Sequence, residues 1–174
     1  MSALVGLSIS ISVLGAIWAY LALGPLSGIA LVWAGFIAWG CYFHTGGDTK
    51  ALIKTIAGNA YGALIAWIAL LLIFKTGVSG IGTVAIAIVV GVTVFFLVIV
   101  ASIEQLSAVP ANVYGYAATV AYSLHHTPDA PATGPLQNLL SANFQNPLIL
   151  LVVSMVLGAI AGYLSGQLAK AISK

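Results

Sequence analysis

Glu104, Ser107, Pro110 and Asn112 fall in one polar interruption, Glu104-Gln105-Leu106-Ser107-Ala108-Val109-Pro110-Ala111-Asn112, set between an uncharged run at 81–103 and a second apolar run at 113–124. In a bilayer core no water satisfies a freed backbone group, so polar side chains at that depth are buried in protein or face an aqueous cavity. Pro110 lacks an N–H and biases Val109 away from helix, so a helix is expected to begin at or just after it. Ser107 then stands near the N-cap, where its hydroxyl can accept from a free N–H. Such a helix start aims positive partial charge at a solute oxygen or an anion. Beyond it, Asn112, Gly115, Tyr116 and Thr119 share one helical face. Neutral donors and acceptors on an apolar wall suit an uncharged solute selected by pore width and hydrogen bonding. Each residue also has a plainer reading. Glu104 can anchor a span at the interface, Ser107-x-x-Pro110 can be an ordinary capped turn, and the helix hydroxyls can serve interhelical packing.

A second set lies upstream. Trp33, Phe36, Trp39, Tyr42 and Phe43 form an aromatic cluster in which Trp33, Phe36 and Gly40 lie on nearly one face. Rings so placed can form an apolar constriction or a cation-π site, although a lipid-interface belt accounts for Tyr42 and Phe43 beside the following loop. Asn59, within Gly58-Asn59-Ala60-Tyr61-Gly62, is a further buried polar candidate. We expect Trp33, Phe36, Asn59, Glu104, Ser107, Pro110, Asn112, Tyr116 and Thr119 to line a pore or bind its solute. Other chemistry finds little footing. His44, His125 and His126 have no carboxylate or thiolate at ligand spacing, so mouth histidines, with proton sensing open to the 125–126 pair, are expected rather than a metal site. Cys41 is the single cysteine, read as a small packing thiol. The carboxylates are Asp48, Glu104 and Asp129, all near segment boundaries, and no nucleophile, base and orienter come together. We expect no enzyme and no cofactor.

The elements that must hold these residues are membrane helices. Of 174 residues 61% are hydrophobic and 5% charged, far from the roughly 25% charged of soluble domains. Stretches at 57–74, 81–103 and 147–164 are apolar all round, and period-two alternation is missing, so an all-α polytopic bundle is expected and a β-barrel is not. Five lysines and no arginine, dispersed, exclude a nucleic-acid surface. At about 20 apolar residues per crossing there are about six segments, 3–23, 26–43, 54–74, 81–103, 108–124 and 147–168, in one membrane domain over 1–174. The first lacks a basic leader and reads as a retained helix rather than a signal peptide. The second and fifth are the shortest, each a full crossing or a broken, re-entrant element.

Six crossings put both termini, the 44–53 loop and the Glu104 turn on one side with Lys50, Lys54, Lys170 and Lys174, against Lys75 on the other. By the lysine bias of short loops, that side is cytoplasmic and the 125–146 loop is outside. Within this loop, 136–144 has apolar residues at near-helical spacing, which predicts a short amphipathic helix at the interface or over a pore mouth. The halves share a pattern: a plain apolar segment, a small-plus-aromatic segment, then one with spaced glycines, Gly58-x-x-x-Gly62 and Gly158-x-x-x-Gly162-x-x-x-Gly166. Three spans per unit would invert the second unit, as in many transporters. An inverted three-plus-three repeat and a run of unrelated spans are both open at this point. The glycine faces also mark close helix contacts, within a protomer or between protomers.

At Trp33-Ala34-Gly35-Phe36, followed by Tyr42-Phe43-His44-Thr45-Gly46-Gly47, and again at Ser107-x-x-Pro110 followed by Gly115-x-x-Ala118, the chain resembles the YcdZ-like family of bacterial inner-membrane proteins, a domain of unknown function. The likeness extends over nearly the whole chain, although the 125–146 loop is longer than the family leads one to expect. It implies a small polytopic bacterial inner-membrane protein and carries over no substrate or catalytic residue. From the residues themselves we expect a channel or facilitator for a small neutral solute such as urea, an amide or ammonia, in a lipid bilayer and as a homo-oligomer. The trimer suggested for it rests on analogy with other small-solute channels. Two other readings stand beside it: a proton-coupled transporter of a polar or guanidinium-like compound working through Glu104, and a non-transporting assembly subunit.

Overall fold

The computed structural model describes residues 2–124 and 134–173. Their α-helices are α1 (Ala3–Leu23), α2 (Val32–His44), α3 (Thr49–Lys75), a single turn α4 (Val78–Ile81), α5 (Thr83–Ile99), α6 (Val109–Leu124) and α7 (Pro147–Ile172), with 3-10 turns Val100–Ser102 and Glu104–Leu106 between α5 and α6. The chain is all-α, with no strand among the described residues. Four helices are long and apolar enough to cross a membrane: Ala3–Leu23, Thr49–Lys75, Thr83–Ser102 and Pro147–Ile172. Helices α2 and α6, of 13 and 16 residues, reach only about 20 and 24 Å at 1.5 Å per residue. Both fall short of a hydrocarbon core of about 30 Å.

Local chemistry explains why α2 is short. Helix α1 stops where Gly24-Pro25 removes a donor, and the chain turns through Gly28 at φ +78°. The Leu31 N–H is then taken by the Ser154 hydroxyl of α7 at 2.9 Å, and that hydroxyl donates to the Leu150 carbonyl. Helix α2 therefore starts inside the bundle, nine residues after the end of α1, rather than at residue 26 as its apolar sequence predicts. At its other end Gly46 and Gly47 take φ values of +127° and +68°, and Asp48 caps α3 by accepting from Ala51 N. This turn delivers the Gly47 carbonyl to the Tyr42 hydroxyl at 2.6 Å. Tyr42 is fully buried in consequence and is no part of a lipid-interface belt.

The helices run alternately between two faces. Gly6 of α1 meets Ser173 and Ala169 at the end of α7, and Ser10 donates to the Ser165 carbonyl, so both ends of the described chain share one face with the 45–48 turn and the 100–108 break. We call this the first face. The closest helix pairs are α3 with α6 and α2 with α7; α1 lies on α7 as α5 lies on α3, while α2 meets α6 and α3 meets α7 at the centre. Exchanging α1, α2, α3 for α5, α6, α7 returns the same set of neighbours with every helix reversed in direction. That is the arrangement of an inverted three-plus-three repeat. The glycines make the pairing possible. Gly62 and Gly115 bring the backbones of α3 and α6 into contact, and Gly158 sits directly on the Gly35 backbone of α2.

On the opposite face, residues 134–146 form consecutive turns rather than the amphipathic helix predicted for 136–144. Their hydrogen bonds close three residues apart, as from Gln137 to Gly134 and from Ser141 to Asn138, and Leu139 is wholly buried. Two side chains hold the segment down: Trp67 Nε1 donates to the Leu139 carbonyl at 2.7 Å, and Asn146 Nδ2 donates to Leu139 and Ser141. Trp67→Phe keeps an aromatic side chain, though a smaller one, and leaves that carbonyl with Asn146 alone. We expect it to lower unfolding free energy by about 1 kcal/mol, read as a lower thermal midpoint in detergent and faster proteolysis of this segment.

Candidate solute site

At the centre of the bundle several polar atoms lack partners. Thr55 and Asn59, one turn apart on α3, are 0% and 1% exposed; neither amide atom of Asn59 makes a hydrogen bond, and the Thr55 hydroxyl stands against the Cys41 thiol. Asn112 of α6 is wholly buried too. Its Nδ2 donates to the Leu97 and Leu106 carbonyls at 3.2 and 3.1 Å, which satisfies backbone freed by the break between α5 and α6. Its Oδ1 faces Gly58 and has no partner. Each buried polar group left unpaired costs about 1–3 kcal/mol. Native structures keep few of them, and those they keep ask for an occupant or a role.

These atoms connect to the first face. Beside Thr55 lies the Cys41 thiol, itself 3.9 Å from the Thr45 hydroxyl, which donates to the Cys41 carbonyl. Thr45 lines a cavity of about 230 Å³ with His44, Lys54, Ser107, Ala108 and Pro110. Lys54 precedes Thr55, and Asn59 lies a further four residues along the helix, about 6 Å deeper. Polar groups thus descend from an open mouth to the unpaired amide. Beyond them the path is apolar: Ala34, Ala38, Ala118, Leu151, Met155 and Ala159 pack together, flanked by Leu31, Leu52, Ile56, Tyr114 and Tyr122. Leu31 and Tyr122 also line a larger cavity of about 490 Å³ on the opposite face, with Gly28, Asn138 and Leu150 among its walls. The two cavities are therefore separated by an apolar cluster to which the two short helices both contribute.

The sequence-derived residues distribute unevenly over this arrangement. Ser107 and Pro110 line the first mouth, and Asn59 and Asn112 lie buried at the α3–α6 contact. Helix α6 begins at Val109, one residue before Pro110 and so slightly earlier than expected, with Pro110 in its first turn where no intrahelical N–H is needed, and the Ser107 hydroxyl turns back to donate to the Glu104 carbonyl at 2.7 Å instead of capping it. Glu104 is exposed on the first face and lines a separate cleft. The Thr119 hydroxyl is satisfied by the Gly115 carbonyl, and Tyr116 pairs with Thr93 of α5 at 3.1 Å. Trp33 and Phe36 are not brought to these residues. They stand on the perimeter, 40% and 41% exposed, with Phe36 stacked on Trp39. Trp39 is buried and donates to the Ser165 hydroxyl. Thr45, Lys54 and Thr55 were not among the expected residues; their signal is polar types recurring on one helix and its approach, from Thr45 through Thr55 to Asn59. Among the described residues no three His, Cys, Asp or Glu side chains gather. His125, His126 and Asp129 lie outside the described residues.

Residues 8–170 match the family described as Protein of unknown function (DUF1097), and the chain belongs to that family. No curated protein and no solved structure matches it.

Proposed function

We propose that this member of the DUF1097 family is a membrane channel or facilitator for a small neutral solute, urea, an amide or ammonia. The observation that carries the reading is the unpaired, buried Asn59 amide beside Thr55, at the end of a polar descent from the first mouth. An amide and a hydroxyl offer donors and acceptors without a fixed charge, and a neutral solute meets them without a counter-ion. Non-helical backbone at Leu31 and at the 100–108 break lies where the short helices begin, which suits a pathway between inverted units. Glu104 is exposed beside a mouth instead of buried on the path, which favours the facilitator over proton coupling through that residue. The lysines on the first face and the YcdZ-like resemblance support a bacterial inner membrane with that face cytoplasmic. A homo-oligomer, a trimer by analogy, completes the proposal.

Stopped-flow uptake into proteoliposomes tests it. Urea, acetamide and ammonia are each compared with empty vesicles, and at least one is expected to enter faster, without a pH gradient. Rates equal to empty vesicles for all three would remove the reading.

A further inference from the structure

On the first face Lys50, Ile53 and Lys54 of α3 and Glu104 and Gln105 of the 3-10 turn line a second cleft of about 220 Å³, which shares Lys54 with the cavity lined by Thr45 and Ser107. Two cations and one anion thus face a single space, and among the described residues no ion pair joins them. Opposite charges that close on one another need no third party; here they are held apart around a volume. The backbone on both sides of that volume is fixed. Lys50 and Lys54 project from the start of α3, fixed by the Asp48 cap, and Glu104 sits on a turn whose carbonyls are tied by Ser107 and Asn112. The depth is that of headgroups, since α3 and α5 both reach their ends here. Apolar side chains are exposed in the cleft and on the chain leading to Glu104: Ile53, Ile99 and Ile103 are 51%, 57% and 49% exposed.

We propose that this cleft binds the headgroup of a phospholipid bearing a primary ammonium, of the phosphatidylethanolamine type. Its phosphodiester lies between Lys50 and Lys54, its ammonium donates to the Glu104 carboxylate, and its acyl chains run along the isoleucines. Both signs of the headgroup then find a partner. A purely anionic lipid would leave Glu104 facing a phosphate, and a choline headgroup has no N–H to donate. The site adjoins the first mouth through Lys54, but its preference among lipids does not rest on the transport reading.

The test uses the full chain purified in detergent, with phosphatidylethanolamine, phosphatidylcholine or phosphatidylglycerol added at equal mole fraction. Thermal midpoints and lipid adducts in native mass spectrometry are the two readouts, so a variant of altered stability is still scored by its adducts. Phosphatidylethanolamine is expected to raise the midpoint most and to give roughly threefold more adduct than the choline lipid. Glu104→Gln should equalise these two lipids while retaining binding, and Lys50→Gln with Lys54→Gln should lose both. The proposal is overturned if phosphatidylglycerol matches or exceeds phosphatidylethanolamine, which would mark a plain anion site, or if Glu104→Gln keeps the preference. Soluble phosphoethanolamine producing the same shift as the lipid would overturn the lipid assignment in favour of a free phosphate ester.

Discussion

Gly62→Ala is expected to lower unfolding free energy by about 3 kcal/mol, the upper end of what one added methyl costs in a packed interior. A Cβ at position 62 would overlap the Asn112 carbonyl and come within 2.8 Å of the Tyr116 nitrogen. Both are backbone atoms of α6, which cannot rotate aside as a side chain can. The contact is reciprocal: a Cβ on Gly115 would overlap the Asn59 carbonyl, and one on Gly58 would stand 2.6 Å from the Ala111 methyl. Relief would require α3 and α6 to separate along their whole contact, the largest in the fold. Between membrane helices close packing contributes most of the attraction, since lipid tails are as apolar as the side chains they would replace. Gly158→Ala should act alike on α2 and α7, where the added carbon would overlap the Gly35 carbonyl. Gly91 supplies the control, because a Cβ there meets open space. Gly91→Ala in α5 is expected to be neutral or to stabilise by about 0.5–1 kcal/mol, the helix preference for alanine. Thermal midpoints in one detergent check all three; an unchanged midpoint for Gly62→Ala would show that the two backbones do not meet at this site.

The same glycines show what the sequence discloses and what it withholds. Their spacing marks close-packing faces and suggests two matching units. It does not name the partner, and the partners turn out to be crossed, each glycine-bearing helix receiving the short helix of the other unit. Direction is withheld for a related reason. In α2 every side is apolar, so no polar face orients Trp33 and Phe36, and they emerge on the perimeter rather than inward. Tyr42 reads as an interface residue until the Gly46-Gly47 turn is folded, when the Gly47 carbonyl comes round to its hydroxyl. The break between α5 and α6 is legible in Pro110, yet the Ser107 hydroxyl donates back to the Glu104 carbonyl of the 3-10 turn, a partner that exists only once that turn is formed. Thr55 was hidden by its type. Hydroxyls in apolar helices ordinarily satisfy themselves on the carbonyl one turn back, as Thr93, Thr119 and Ser123 do. That Thr55 does not is visible only in three dimensions.

Asn59→Leu is expected to bring solute uptake down to the level of empty vesicles while raising stability by about 1–3 kcal/mol. The two effects have one origin. Asn59 holds an unpaired donor and an unpaired acceptor at 1% exposure, so the folded chain bears a desolvation cost for which no bond compensates. Leucine removes both polar atoms and keeps the branch at Cγ in a wholly buried position. A residue kept only for packing would behave oppositely, since replacing a well-fitted side chain in an interior lowers stability. On the proposed function, a solute makes up the missing bonds of this buried amide during passage, the exchange of stability for function found at working sites. Asn59→Ala separates chemistry from bulk. It too deletes the amide but leaves space, so if the amide itself passes the solute, uptake falls in both variants; if bulk alone blocks the path, alanine conducts. Lower stability together with unaltered uptake in Asn59→Leu would remove the site from the path and leave the Thr45 to Thr55 descent as an entrance without a destination.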